Sequence, residues 1–177
     1  LENRYYNFKG LNLSVETLDG LIKHNGPIYD KSKINEILGK NFFNNKINFN
    51  ASPSLEAQIA SISDDIAYNS HDIEDGLKAK LFNINELIDL PVISEIIRKH
   101  KKKLKTKNIE LVLSQIIREI INVMVSDIVK NIKKNIRRHN PKSVNDIYKS
   151  NDNYVNFSDE LLNFDYQIRE FLKDKMY

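Results

Sequence analysis

The chain has 177 residues, 41% of them hydrophobic and 29% charged, enough for one domain with a real core and too few for two comfortable ones. It contains no cysteine, which excludes disulfides, thiolate metal sites and a cysteine nucleophile together. Its 27 Lys and Arg against 24 Asp and Glu leave a net charge of +3, so any basic signal has to be local. No stretch approaches the roughly 18 uninterrupted apolar residues of a membrane span, and the start, Leu-Glu-Asn-Arg-Tyr, has no signal-peptide form. The expectation is a cytoplasmic protein with no membrane partner.

With five Gly, four Pro and long runs of helical apolar period, the chain reads as all-α. Ser14 is the N-cap of a short helix over about 15–24, with Val15, Leu18, Leu21 and Ile22 on one face and Gly26-Pro27 as the stop. Residues 28–52 read as an irregular connection, Asn-rich over 41–50 with Phe residues as anchors. Pro53 stands at a helix entrance. Leu55, Ile59, Ile62 and Ile66 predict a helix to about Asn69, and a second run, Ile73 to Phe82, follows almost without a break. A short helix then leads to Pro91, and Val92, Ile93, Ile96 and Ile97 open another that dissolves into Lys and Arg. The longest segment, about Asn108–Arg138, carries apolar residues on several faces, which predicts a long buried central helix of a bundle. Two short helices after Ser143 and Ser158, and a last one from about Asp165, complete the chain.

Chemistry concentrates in Leu55-Glu-Ala-Gln-Ile-Ala-Ser-Ile-Ser-Asp-Asp-Ile-Ala-Tyr-Asn-Ser-His-Asp-Ile-Glu-Asp-Gly76. Asp64, Tyr68 and Asp72 are spaced i, i+4, i+8 and form a polar ridge on a continuous helix. Spacing leaves two readings open: a solvated, acid-biased face, or a ridge whose carboxylates meet a hard divalent cation or a polar ligand.

That stretch closely resembles the bacterial deoxyguanosinetriphosphate triphosphohydrolase family of HD-domain phosphohydrolases. So do Gly10-Leu-Asn-Leu-Ser with Glu16-Thr-Leu-Asp-Gly-Leu and Lys23-His-Asn-Gly-Pro27 ahead of it. Ile116-Ile-Arg-Glu-Ile-Ile-Asn-Val-Met-Val-Ser-Asp-Ile-Val129, Asn156-Phe-Ser158, Phe171-Leu and Met176-Tyr177 follow the family's order behind it. The resemblance implies the C-terminal portion of a single HD-type helical bundle, residues 1–177. The implied reaction is attack of water on the α-phosphorus of a deoxynucleoside triphosphate, releasing deoxynucleoside and inorganic triphosphate. It further implies a Mg²⁺ or Mn²⁺ site built from a His, a His-Asp pair and a distant Asp, with Asp64 as that last ligand. Tyr68 would line the phosphate and sugar region, and Asp72 would accept a hydrogen bond from the 3′-hydroxyl. Arg169 and Tyr177 match positions where distant relatives place a phosphate-contacting cation and a sugar-packing Tyr; an ordinary surface Arg and a half-buried Tyr fit the same residues. The first His, the His-Asp pair and the catalytic His region precede the Gly-Leu-Asn-Leu stretch in the family, so this chain by itself is expected to be inactive. The absence of Met at position 1 and the end at Tyr177 inside a helical pattern give it the look of a fragment. Homo-oligomers are expected, as in the family.

A second assembly in the required order, His24, His71-Asp72 and Asp127, lacks the Gly- and Pro-rich surroundings of the family's metal doublet. His71 reads as a wall or surface residue, and His24 as a cap at its helix end. The basic runs Arg98–Lys107 and Lys133–Arg138 read as solvated helix surface, with His100 and His139 solvated among them. Their other reading is an electrostatic patch for single-stranded nucleic acid or anionic nucleotides. The rival to the enzyme is thus a helical remnant that binds partners or nucleotides and does no chemistry.

Overall fold

The computed structural model describes residues 6–7, 10–38, 46–106 and 108–176. They form seven α-helices: α1 (Val15–Lys23), α2 (Ser32–Leu38), α3 (Leu55–Ala79), α4 (Pro91–Thr106), α5 (Ile109–His139), α6 (Val144–Lys149) and α7 (Asp159–Met176). A 3₁₀ turn, Glu86–Asp89, precedes α4, and no strand occurs among the described residues. The all-α expectation holds. The chain divides into two compact units, one of residues 1–61 and 141–153, the other of 62–140 and 154–177.

In the first unit the described apolar core is small, with Ile47, Ala57 and Ile147 fully buried. Polar bonds supplement it. Ser14 caps α1 by accepting from Thr17 N (3.3 Å), and His24 closes it by donating from Nδ1 to the Leu21 carbonyl (2.7 Å). Lys23, 1% exposed, points inward from the last turn of α1. Its Nζ pairs with Asp19 (2.8 Å) and donates toward the carbonyls of Asn48, Ala51 and Ser52 at 3.3 to 3.4 Å. It also stands 5.1 Å above the Tyr148 ring on α6. Ser52 in turn donates from its backbone to Tyr148 O and from its hydroxyl to Ser150 O. One ammonium thus ties α1 to the 48–52 segment and, through it, to α6. Among the described residues Asp19 Oδ2 finds no hydrogen-bond partner, and Asp19 lines a cavity of about 350 Å³ with Lys46, Tyr148 and Lys149. The stretch read as irregular contains α2, one of the shortest helices.

In the second unit α4 packs along α5. Pro91 takes the first helical position of α4, where its missing N–H costs nothing. Asn108 caps α5 by accepting from Glu110 N, and Asn140, left-handed at φ 48°, ends it just before Pro141. The two runs read ahead of Phe82 are one helix, α3. It stops where Lys80 turns left-handed (φ 60°) and lets Leu81 N reach back to Gly76 O. Gly76 is needed because a Cβ there would run into the Phe82 ring, which meets Phe171 edge-on at 5.0 Å between centroids. The helices expected after Ser158 and from Asp165 are likewise one, α7, whose start is held by Asp127: its carboxylate accepts from Ser158 N (2.8 Å) and Oγ (2.7 Å).

Along α5, Val112, Ile116, Ile117, Ile120, Met124 and Ile128 are buried, whereas Leu111, Val125, Val129 and Ile136 are exposed. The helix is therefore buried on one stripe rather than on most sides. His100 also departs from expectation. It is 5% exposed and hydrogen-bonds Glu119 on α5 through Nε2 (2.7 Å), which holds the Glu119 carboxyl below its ordinary range. The lysines around it, Lys99 and Lys101–Lys103, are exposed as expected.

Replacing Lys23 by Met keeps the side-chain length but strips three carbonyls and leaves Asp19 as a buried lone charge. The expected loss is about 3–5 kcal/mol of stability. Adding Asp19→Leu removes that lone charge and returns part of the loss. Urea unfolding of wild type, single and double variants measures both.

Candidate functional site

The ridge Asp64, Tyr68, Asp72 lies on the part of α3 within the second unit. Asp64 is exposed, Tyr68 is 59% exposed and Asp72 is half-buried. What fixes the rotation of α3 is the adjacent face. Ile66, Asn69, Ser70, Ile73 and Gly76 recur at three- and four-residue steps and are buried.

Asn69 supplies the polar bond in that face. Its Nδ2 donates to Asp165 Oδ1 on α7 (2.9 Å), and both residues are 5% exposed. The other oxygen of Asp165 accepts from Arg169 Nε one turn on (2.9 Å), while Arg169 Nη2 reaches back to Asp65 on α3 (3.1 Å). Asp65 and Asn69 on one helix thus engage Asp165 and Arg169 on the other, each pair at i, i+4. Burial pushes the Asp165 carboxyl above its ordinary value, and the Arg169 charge pulls it down without cancelling that. For Arg169 burial is the largest single effect and opposes the charge, but Asp165 and Asp65 together outweigh it and the guanidinium is held protonated more firmly. A hollow of about 460 Å³, lined by Asp159, Leu162, Asn163, Asp165, Tyr166 and Arg169, lies along α7.

The structure therefore brings Arg169 to α3, onto Asp65 beside the ridge, while Asp165 meets Asn69. Its bonds use Nε and Nη2 and leave the Nη1 donors uncommitted to them. Tyr177 lies outside the described residues. Among the described residues no three His, Asp or Glu come together as a metal site. The second assembly fails with it: the Asp127 carboxylate is taken up by Ser158, and His24 by its own helix end. Among the described residues Asp64 is not joined by two further His, Asp or Glu side chains, so these residues do not by themselves complete a divalent-cation site. The residues that sequence reasoning passed over are Asp65, Asn69 and Asp165. Their signal was present as polar residues at i, i+4 inside apolar stripes, Ile62, Ile66 and Ile73 on one helix and Leu161, Phe164, Ile168 and Leu172 on the other.

No family model matches the chain. Three curated proteins named deoxyguanosinetriphosphate triphosphohydrolase-like protein do match it. The one from Pelagibacter ubique is 52% identical over 177 residues, all of this chain and 48% of its own length. That from Caulobacter sp. is 36% identical over 179 residues, again all of this chain and 45% of its own length. The Neorickettsia sennetsu protein is 38% identical over 176 residues, 99% of this chain and 45% of its own length. The chain is related to the deoxyguanosinetriphosphate triphosphohydrolase-like proteins. That bears out the resemblance read from its residues, and the chain spans about half the length of the curated relatives it matches. Among the described residues no helix is long and apolar enough to cross a membrane.

Arg169→Met removes the cation between two carboxylates. An acid with a raised pKa stabilises the fold most when protonated, so its contribution is complete below its ordinary value of 3.8 and is lost as pH rises through the folded value. The deficit of the variant is expected to be about 1–3 kcal/mol at neutral pH, below the usual figure for a broken buried pair because the Arg169 side chain is 46% exposed, and to shrink toward pH 4. Urea midpoints across that range test the sign.

Proposed function

We propose that the chain is part of a metal-dependent deoxynucleoside triphosphate triphosphohydrolase of HD type, the portion carrying Asp64 and the substrate ridge. The observation that carries the reading is relatedness, over the whole of this chain and about half of theirs, to proteins named deoxyguanosinetriphosphate triphosphohydrolase-like, together with a ridge of two acids and a Tyr beside the α3–α7 contact. Water adds to the α-phosphorus, the bond from phosphorus to the 5′-oxygen breaks, and the oxygen leaves with a proton as the nucleoside hydroxyl. Asp64 contributes one carboxylate to a Mg²⁺ or Mn²⁺ site whose other ligands come from outside these 177 residues. Asp72, half-buried, accepts a hydrogen bond from the 3′-hydroxyl, and Tyr68 packs on sugar and phosphate. Arg169 offers its remaining N–H groups to a phosphate oxygen while staying anchored to Asp65 and Asp165. Homo-oligomers belong to the same reading. In a narrower form of the reading, this chain alone binds but does not hydrolyse.

The test incubates the 177-residue chain, and a form extended upstream in its natural coding sequence, with deoxynucleoside triphosphates and Mn²⁺. Inorganic triphosphate is expected from the longer form alone, and Asp64→Ala lowers its release by about a thousandfold or more. Activity that survives Asp64→Ala sinks the ligand assignment; an inactive longer form leaves the non-catalytic module. Asp72→Ala is expected to erase most of a roughly hundredfold preference for 3′-hydroxyl over 3′-deoxy substrates, read as a ratio of kcat/KM values.

A further inference from the structure

The exposed side of α5 has an order that neither the core nor the ridge explains. Val125, Val129, Ile132 and Ile136 succeed one another at steps of four, three and four residues, the spacing of a coiled-coil seam. At about 100° per residue they fall within an arc of about 60°. Val125 and Val129 are each 44% exposed, Ile136 is 37% exposed and Ile132 is partly exposed. Asn131 and Asn135, bonded to the 154–157 segment, close one side of this row. On the other side stand the exposed cations Lys130, Lys133 and Arg137. From Ile128 to Asn145 the sequence has no Asp or Glu.

We propose that this row is a docking seam for an acidic amphipathic helix of a partner chain, which inserts aliphatic side chains between Val125 and Ile136 and sets its carboxylates against Lys130, Lys133 and Arg137. The charge on the flank selects the occupant. A parallel second copy would turn its cationic flank to the partner's Asn131 and Asn135 flank, which offers no carboxylate and is taken up by the 154–157 segment. An antiparallel copy would pair like flanks and so set cation against cation along the whole row. A membrane surface fits poorly, because the row is one side chain wide, purely Val and Ile, without the bulky aromatic face of interfacial helices. Nucleic acid would use the cations but leave the aliphatic row idle, with no aromatic ring for base stacking.

The test uses the full 177-residue chain and a labelled synthetic helix of about four heptads, with Leu and Ile at the seam and Glu on both flanks. Its controls are a twin with Lys for every Glu and an acidic peptide of scrambled order. Fluorescence anisotropy is expected to show binding of the acidic helix alone, weakening as salt rises. Val129→Asp should weaken it by about tenfold or more, and Lys133→Glu with Arg137→Glu should transfer preference to the Lys twin. Both changes lie on exposed positions, and circular dichroism checks that the fold persists. Failure of the acidic helix to bind, or equal binding of the scrambled peptide, overturns the proposal. So does self-association that Val129→Asp abolishes, which would assign the row to a second copy, or Val129-dependent binding to phosphatidylglycerol vesicles.

Discussion

The second unit depends on one buried contact, the amide of Asn69 against the carboxylate of Asp165. A buried polar pair of this kind costs free energy if either partner turns away, so it admits one rotation of α3 against α7 and rejects the neighbours that apolar packing alone would tolerate. Arg169 reinforces the choice from both sides by holding Asp165 and Asp65 at once. With that face of α3 committed inward, Asp64 and Tyr68 have only outward positions left. The site ridge is thus a consequence of polar bonds made by residues that never face the ridge themselves.

The first unit reaches the same end with different means. Its described apolar core is too small to hold α1 against the 48–52 segment by burial alone, and the Lys23 ammonium substitutes for missing side-chain volume with directional bonds. Removing such a charge does more harm than an absent methylene, because its partners remain buried. Each unit therefore has a polar centre that specifies geometry within an aliphatic surround that supplies most of the stabilisation.

Local signals were readable. Ser14 as the cap of α1 acts through the nearest turn of backbone, and it lies where its chemistry places it. What could not be read were polar residues whose partners are distant. Asp165 looks like a helix start because Asp is a common cap, yet it sits in the middle of α7 with its charge spent on Asn69 and Arg169. His100 looks solvated among lysines, yet its ring reaches Glu119, nineteen positions on. Val125 and Val129 look like core by composition, since aliphatic residues carry no mark of which side of a long helix meets a neighbour. For the candidate site, the ridge of Asp64, Tyr68 and Asp72 was legible as a pattern on one helix, whereas its neighbours Asp65, Asn69 and Asp165 needed the helix pairing.

The pairing of α4 with α5 bears on the order in which the second unit assembles. α5 begins three residues after α4 ends, so the two close on each other across a short loop at small entropic cost. Asn69 and Asp165 stand 96 positions apart, and their bond must wait until that distance has been brought in. The helical hairpin is an early platform and the α3–α7 lock a late one. Orientation of the Asp64 face is then among the last things the folding chain decides.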